Sequence, residues 1–450
     1  MRDMTTGRPL KHMWAFAGPL MLSSLFSQLY TLADSMIVGR LLGTEAFAAI
    51  GAAGYLYGFA SSMLLGMAIG FGVLMAQRCG AKDEAGLRRS IAMSTLLEGA
   101  SALLLTIVCT VLLVPLLRLL QTPEAMMPDS ISYLRVMWLG LLFNGMYQVL
   151  ASALRSMGDS STPFRAGVVA NVLNVVLDFA LIGGLHMGVA GAALATVVSQ
   201  LLSAVLCALG IAKVKTALPR RGDWKLHVGD VRELLRLGVP KIFGEGFNAV
   251  GELVVQAAIN SCGVAFVAGI TAARKYYTLL STIGSGLEGA TATFTAQNMG
   301  AKRYDRITEG TRTAVISSVV SAAGVAVVAG LLAKPLILLF LPDASAETLR
   351  IGMSVLRIDS VAMVALYLLL VYRAAVQGMG NALAPMFSGI MEMAMRVGCA
   401  LVLPRLFGAV GLYFIEAVNW TATGTMLALC YRRERHKLEK RTDFLQKTAI

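Results

Sequence analysis

Apolar residues fill most of the chain in long runs, which short polar or glycine-containing connections separate. The first six runs cover 12–38, 46–76, 88–115, 129–154, 163–185 and 189–212, and the second six cover 234–260, 264–297, 309–340, 346–377, 384–405 and 409–431. Apolar runs of about 20 residues are typical of helices that cross a membrane. The pattern predicts an all-α polytopic membrane protein with about twelve transmembrane helices.

The two sets of six runs carry the same short motifs at a nearly constant spacing of 220 to 222 residues. The matched sites are Pro19 and Pro240, 76–82 and 296–302, Pro163 and Pro385, and 188–191 and 408–411. Such spacing indicates a duplication that gives two pseudo-symmetric lobes of six helices. Internal repeats in a polytopic chain are typical of secondary transporters.

The polar stretch between the two sets of runs contains Pro219 and Gly222 and serves as the boundary between the lobes. We therefore predict an N-terminal lobe at 1–212, a cytoplasmic linker at 213–232, a C-terminal lobe at 233–432 and a basic cytoplasmic tail at 433–450. With 56% hydrophobic and 14% charged residues among 450, little chain remains for a catalytic or regulatory module.

The net charge of +13 reflects the topology of the chain. Lysine and arginine collect in alternate connections and in the tail, whereas the intervening connections hold isolated cations. This asymmetry predicts a plasma-membrane protein with both termini in the cytoplasm and no nucleic acid partner. In the alternative interpretation, the basic residues at 432–441 form an RNA-binding tail. The six cysteines and four histidines are scattered and form no zinc, disulfide or catalytic motif. We therefore expect no cofactor and no enzyme activity.

Polar residues of the first half predict a site for a cation or proton. Asp34 lies near the outer end of the first span, and Asn171, Asn174 and Asp178 share one face of the fifth at i, i+3 and i+7. Thr196 enters the sixth span from the same side. Carboxylate, amide and hydroxyl oxygens suit a hard cation or a proton-binding pair. In the alternative interpretation, Asp34 is an interfacial residue and the two asparagines only join helices.

The second half presents a mixed set of ionisable residues. Glu245 and Asp359 are candidate carboxylates for a cationic substrate or cation. Glu392 and Arg396 are spaced i, i+4, which predicts an ion pair across one helical turn. Pro19 and Pro240 lie near the start of the first helix of each half, where a proline either acts as a hinge or is simply tolerated.

Several motifs together resemble the multidrug and toxic compound extrusion (MATE) family, in particular its bacterial damage-inducible-type branch. They are LADSMIVGR at 32–40 with GTEA at 43–46, ALRSMGD at 153–159 with Pro163, 171–178 leading to GVAGAA at 188–193, QGMGN at 377–381, and Glu392 with Arg396. The resemblance implies a V-shaped, two-lobed antiporter. It also implies a cation site at Asp34, Asn174, Asp178 and Thr196, which would be the Na⁺ ligands if Na⁺ couples, with Asn144 as a polar neighbour. In the family's other branch, carboxylates of the seventh and tenth spans matter. Asp359 fits the second position, but Asn248 occupies the first.

The sequence therefore predicts a monomeric antiporter that exports cationic amphipathic compounds in exchange for Na⁺ or H⁺ by alternating access. A flippase for lipid-linked saccharides is the alternative within the same superfamily. That class favours a cationic cavity, whereas the buried residues of the first half are acidic, although Arg274 and Lys275 leave this point open. The sequence does not distinguish Na⁺ from H⁺ coupling.

Overall fold

The computed structural model describes residues 2–448, and the side chains of residue 44 and of 441–448 are not described. The last two residues of the predicted tail lie outside this range. The helices are α1 Pro9–Gly80, α2 Glu84–Val111, α3 Leu113–Leu119, α4 Met127–Ser156, α5 Ser161–Asp178, α6 Gly188–Ala212, α7 Val228–Asn260, α8 Val264–Gly300, α9 Tyr304–Leu331, α10 Ala333–Phe340, α11 Ala346–Gly378, α12 Leu383–Phe407 and α13 Ile415–Thr448.

Helix α1 contains the first two predicted spans, which meet at a break at Gly43 with φ of +85°. A residue without a Cβ adopts this backbone conformation at little cost, so the helix direction changes within one residue. The connection expected between 38 and 46 is therefore a sharp break and not a loop. Pro19 and Pro240 both lie inside helices, in α1 and α7.

The helices correspond to the predicted spans. Among the described residues, eight helical segments are long and apolar enough to cross a membrane, and one of them, Leu383–Lys440, combines α12 and α13. The part of α1 before Gly43, α7 and α8 complete the set. These three carry more polar residues, such as Asp34, Glu252 and Arg274, which lower their average hydropathy.

The chain packs into two compact units. The first contains Leu22–Ile242, and the second contains Asp3–Met21 with the chain from Phe243 onward. The chain passes from one unit to the other after Met21 and again after Ile242. Both residues lie two positions after a proline, Pro19 in α1 and Pro240 in α7. The initial segment of each repeat's first helix therefore packs within the unit formed by the other repeat.

In the first unit, an ionic cluster fixes the start of α7. Arg78 at the end of α1 contacts Asp230 at 2.6 Å and Glu233 at 3.2 Å, and Arg89 contacts Asp230 at 3.1 Å. Burial by itself would raise the pKa of Asp230, but hydrogen bonds and attraction from Arg78 and Arg89 outweigh it and lower the pKa. The paired aspartate thus remains ionised and holds α7 in place.

In the second unit, hydrogen bonds to the backbone fix the segment before α1. The Arg306 guanidinium donates to the Gly7 carbonyl at 2.9 Å and to the Thr6 carbonyl at 3.2 Å. The Asn298 side chain donates to the Met4 carbonyl at 3.1 Å. Asn298 lies 220 residues after Arg78, so equivalent positions of the two repeats anchor the two initial segments by different chemistry.

Glycines allow close helix packing inside each unit. In the first unit, a Cβ at Gly70 would lie 2.5 Å from the Cα of Gly238, and in the second unit a Cβ at Gly389 would collide with the backbone of Gly244. Without hydrophobic exclusion by water to drive helices together, such backbone proximity is a main source of packing energy in a membrane.

Candidate functional site

A cavity of about 240 Å³ lies inside the first unit, between α1, α4, α5 and α6. Its polar lining includes Tyr30, Asn144, Asn171, Asn174, Thr196 and Gln200. Among the described residues, those that line the cavity carry no charge. Four of the residues predicted from sequence thus line one space, and Tyr30 and Gln200 are additional lining residues that the sequence analysis did not identify.

Hydrogen bonds connect three helices across this cavity. The Tyr30 hydroxyl of α1 donates to Asn174 Oδ1 of α5 at 2.6 Å, and Asn174 Nδ2 donates to Thr196 Oγ1 of α6 at 3.4 Å. The Thr196 hydroxyl donates to the Ala192 carbonyl at 3.1 Å. Asn174 is only 1% exposed, so these bonds fix its orientation.

Asp34 and Asp178 lie side by side, close enough for a hydrogen bond between their carboxyl groups. Asp34 follows Tyr30 by four residues and Asp178 follows Asn174 by four, so both carboxyl groups lie one helical turn beyond the Tyr30–Asn174 bond. Asp178 is 0% exposed, and with Asp34 ionised neither of its oxygens receives a hydrogen bond from an N–H or O–H donor in the described part of the chain. Asp178 is therefore buried and Asp34 half-buried, and the pair lacks a neutralising basic side chain among its described interactions.

Helix α5 changes its winding directly after Asp178. Residues Phe179–Gly184 form a π-helix, which completes the span predicted at 163–185. The helical winding ends at Gly184, and the connection to α6 occupies 185–187. The first repeat has two more residues than the second in this region, since Gly188 follows Pro163 by 25 residues and Gly408 follows Pro385 by 23. Short π-helical insertions occur often at functional sites.

Asn144 and Asn171 complete the polar wall. The Ser61 hydroxyl donates to Asn144 Oδ1 at 3.1 Å, and Gln200 Nε2 donates to the Tyr57 hydroxyl at 2.9 Å. Asn171 lines the cavity one turn before Asn174. Ser61, Tyr57 and Tyr30 lie in apolar stretches, where single serine or tyrosine residues give no recognisable motif.

The second unit contains an ionic cluster built on two arginines. Arg396 of α12 makes a bidentate pair with Glu416 of α13, with N–O distances of 2.9 and 3.0 Å, and it also donates to Asn248 of α7. Arg373 of α11 contacts Glu288 and Glu392, each at 3.2 Å. These contacts join five helices of the unit through buried or half-buried charges.

The cluster corrects the predicted pairing of Glu392 with Arg396. Their closest charged atoms are 3.9 Å apart, whereas Glu416 lies nearer to Arg396 and Arg373 lies nearer to Glu392. The i, i+4 spacing identified a real contact but not the main partners, because these come from other helices.

The two other carboxylates predicted for the second half lie at different places around this cluster. Glu245 interacts electrostatically with Arg373, and the 8% exposed Asp359 interacts with Arg274 and Glu416. Arg274 itself donates to Gln256 at 2.8 Å. Their assignment to a substrate or cation site stays a prediction.

Two units of helices from a duplicated sequence, with buried carboxyl groups, define a polytopic membrane protein of the kind that includes secondary transporters. The MatE family model matches residues 19–180 and 240–402, and the chain belongs to this family. The matched ranges start 221 residues apart and end 222 apart, in agreement with the predicted duplication.

Individual proteins agree with this assignment. The chain is 30% identical over 315 residues to the probable multidrug resistance protein YpnP of Bacillus subtilis, covering 68% of each chain. It is 28% identical over 235 residues to the DNA damage-inducible protein F of Escherichia coli, covering 50% of each. A crystal structure of MATE in the bent conformation superposes with a TM-score of 0.91 at 23% identity, covering 98% of both chains. The predicted family and the predicted all-α fold with two six-helix halves are confirmed.

Proposed function

We propose that this protein is a secondary antiporter that exports cationic amphipathic compounds in exchange for Na⁺ or H⁺. Membership in the MatE family and similarity to a probable multidrug resistance protein support this function. The observation that carries the proposal is the carboxyl pair of half-buried Asp34 and fully buried Asp178 beside a polar cavity.

The carboxyl pair has the chemistry of an exchangeable cation site. Two ionised carboxylates in contact repel each other strongly in a region of low polarity, and one proton or one cation between them removes the repulsion. Asn174 and Thr196 supply amide and hydroxyl oxygens one turn away, and an all-oxygen set suits a hard cation such as Na⁺. The bound Na⁺ or H⁺ is transported cargo, and we propose no resident cofactor.

Exchange requires that cation and substrate favour different states of the protein. A site that loses its proton or Na⁺ gains negative charge, which attracts a cationic substrate, and reloading the site repels that substrate. Alternating access follows if the two occupants stabilise different conformations, because a ligand with equal affinity for both shifts nothing. Pro19 and Pro240 lie at the unit boundaries, and we propose them as the hinges.

We further propose that the protein acts as a monomer in the cell membrane, with both termini in the cytoplasm, and that it has neither enzyme activity nor a nucleic acid partner. The basic residues at the ends of α1 and α8 and in the tail support this orientation, since cytoplasmic connections carry the excess of lysine and arginine.

The test is transport of a cationic dye by purified protein in proteoliposomes under an imposed Na⁺ gradient or an imposed pH gradient. We expect one of the two gradients to drive dye movement, and Asp34→Asn and Asp178→Asn each to abolish it. Asp343→Asn makes the same chemical change in an exposed connection and is the control. Undiminished gradient-driven transport by both buried-site variants would exclude the proposed coupling site.

A further inference from the structure

The cavity of the first unit and the ionic cluster of the second occupy equivalent positions of the two repeats. Asn174 and Arg396 are 222 residues apart, the same spacing as Pro163 and Pro385 in the same helices. Thr196 and Glu416 are 220 apart, the same spacing as Gly188 and Gly408. The Asn174–Thr196 hydrogen bond of one unit is thus replaced by the Arg396–Glu416 ion pair of the other.

The carboxyl pair of the first unit has no counterpart in the second. Val255 lies 221 residues after Asp34, and Ala400 lies 222 after Asp178. Where the first unit holds two carboxyl groups without a basic partner, the second unit therefore has two apolar side chains. Its carboxylates lie instead around Arg373 and Arg396.

Arg396 is held too firmly to leave its position. It is 3% exposed, and its three guanidinium nitrogens contact Glu416 on one side and Asn248 on the other. A guanidinium remains charged under all physiological conditions, and its planar donors match a carboxylate in bidentate geometry. In the first unit, the positive charge would come from a cation bound from solution. In the second unit, the positive charge belongs to the Arg396 side chain.

Resting on the proposed coupling by the first unit, we infer that Arg396 is a built-in cation that closes the equivalent site of the second unit. The exchangeable Na⁺ or H⁺ then binds only at Asp34 and Asp178. The second unit is a latent cation site, and removal of the Arg396 side chain opens it to a small cation that can pair with Glu416 and Glu392.

The first experiment measures saturable binding of ²²Na⁺, and separately proton uptake, by purified protein in nanodiscs. We expect saturable binding of one of the two by the wild type and none by Asp34→Asn/Asp178→Asn. Residual saturable binding that disappears when Glu416→Gln is added would overturn the inference. If the wild type binds neither ion, the proposed antiport is wrong, but the inference about Arg396 is not yet tested by this result. The second experiment then decides the inference.

The second experiment adds Arg396→Asn to the Asp34→Asn/Asp178→Asn background and titrates guanidinium chloride at non-denaturing concentrations, with choline chloride as the ionic-strength control. We expect a saturable rise in melting temperature with guanidinium, and no such rise when Glu416→Thr is added. A melting temperature that responds equally to choline contradicts a latent site. If the Arg396→Asn variant does not fold, the first experiment, on ²²Na⁺ binding and proton uptake, decides the inference by itself.

Discussion

The two units place different kinds of polar side chains at equivalent buried positions. The first unit places uncharged amides and hydroxyls around a cavity and leaves the Asp34–Asp178 pair without a basic partner. The second unit fills the equivalent positions with Arg396 and Glu416, which satisfy each other. A duplication gave both units the same helices, so the difference lies in the side chains and not in the fold.

This difference indicates which unit can exchange ions with the solution. Removing one partner of a buried ion pair leaves an uncompensated charge, so a paired arginine is a permanent structural element. A carboxyl pair without such a partner takes its positive charge from solution and can return it. We therefore assign coupling to the first unit and rigidity to the ionic cluster of the second.

The largest effect is expected when the Arg396–Glu416 pair of the second unit is introduced at the equivalent positions of the first unit. We expect Asn174→Arg/Thr196→Glu to abolish gradient-driven dye transport, because the guanidinium supplies a permanent cation one turn from Asp34 and Asp178. The matched control, Asn174→Gln/Thr196→Ser, keeps the polarity without adding charge and should retain part of the transport. Equal transport by the two double variants in proteoliposomes would show that a fixed cation at this place does not matter.

Breaking the ionic cluster should have the next largest effect, on stability. Arg373→Gln removes the basic partner of the half-buried Glu288 and leaves the buried Glu392 with only the more distant Arg396, and we expect a loss of about 3 to 5 kcal/mol. The measurement is thermal unfolding of the purified protein in nanodiscs. Arg303→Gln, in the exposed pair with Asp305, is the control and should change the melting temperature little. Similar shifts in both variants would contradict a structural role for the cluster.

A smaller effect is expected where helices of the second unit approach most closely. Gly389→Ala forces a Cβ against the backbone of Gly244, and overpacking of this kind costs about 1 to 3 kcal/mol. Gly398→Ala, in the same helix, meets nothing within 4 Å and serves as the control. The same melting assay compares them, and an equal effect of both alanines would mean that helix propensity and not proximity decides.

The smallest effect concerns the anchor of α7 in the first unit. The pKa of Asp230 is lowered in the folded protein, so its ion pairs contribute stability above its unfolded pKa of about 3.9, and this stability is lost as pH falls through the folded pKa. We expect Asp230→Asn to cost about 1 kcal/mol at neutral pH and nothing in strong acid. Melting temperatures of both proteins between pH 3 and pH 7 check this, and a constant difference would refute it.

Much of the architecture follows from sequence because long apolar runs and repeated prolines and glycines are strong signals. The convergence of Asp34 with Asp178 also follows from helical spacing and similar depth, although its role in coupling stays a prediction. The Arg396–Glu416 pair could not be foreseen, since Glu392 offers a nearer partner along the chain. The exchange of initial segments between the units likewise depends on side-chain packing around 3–21, for which the sequence has no separate motif.

The most direct test of the central claim is competition between ethidium and the coupling cation for purified protein. If Asp34 and Asp178 hold the exchangeable cation, raising either Na⁺ or H⁺ must weaken ethidium binding, and ethidium must weaken binding of that cation by the same factor. The account predicts this reciprocal competition in the wild type and its loss in Asp34→Asn/Asp178→Asn. Undiminished competition in the double variant would contradict it.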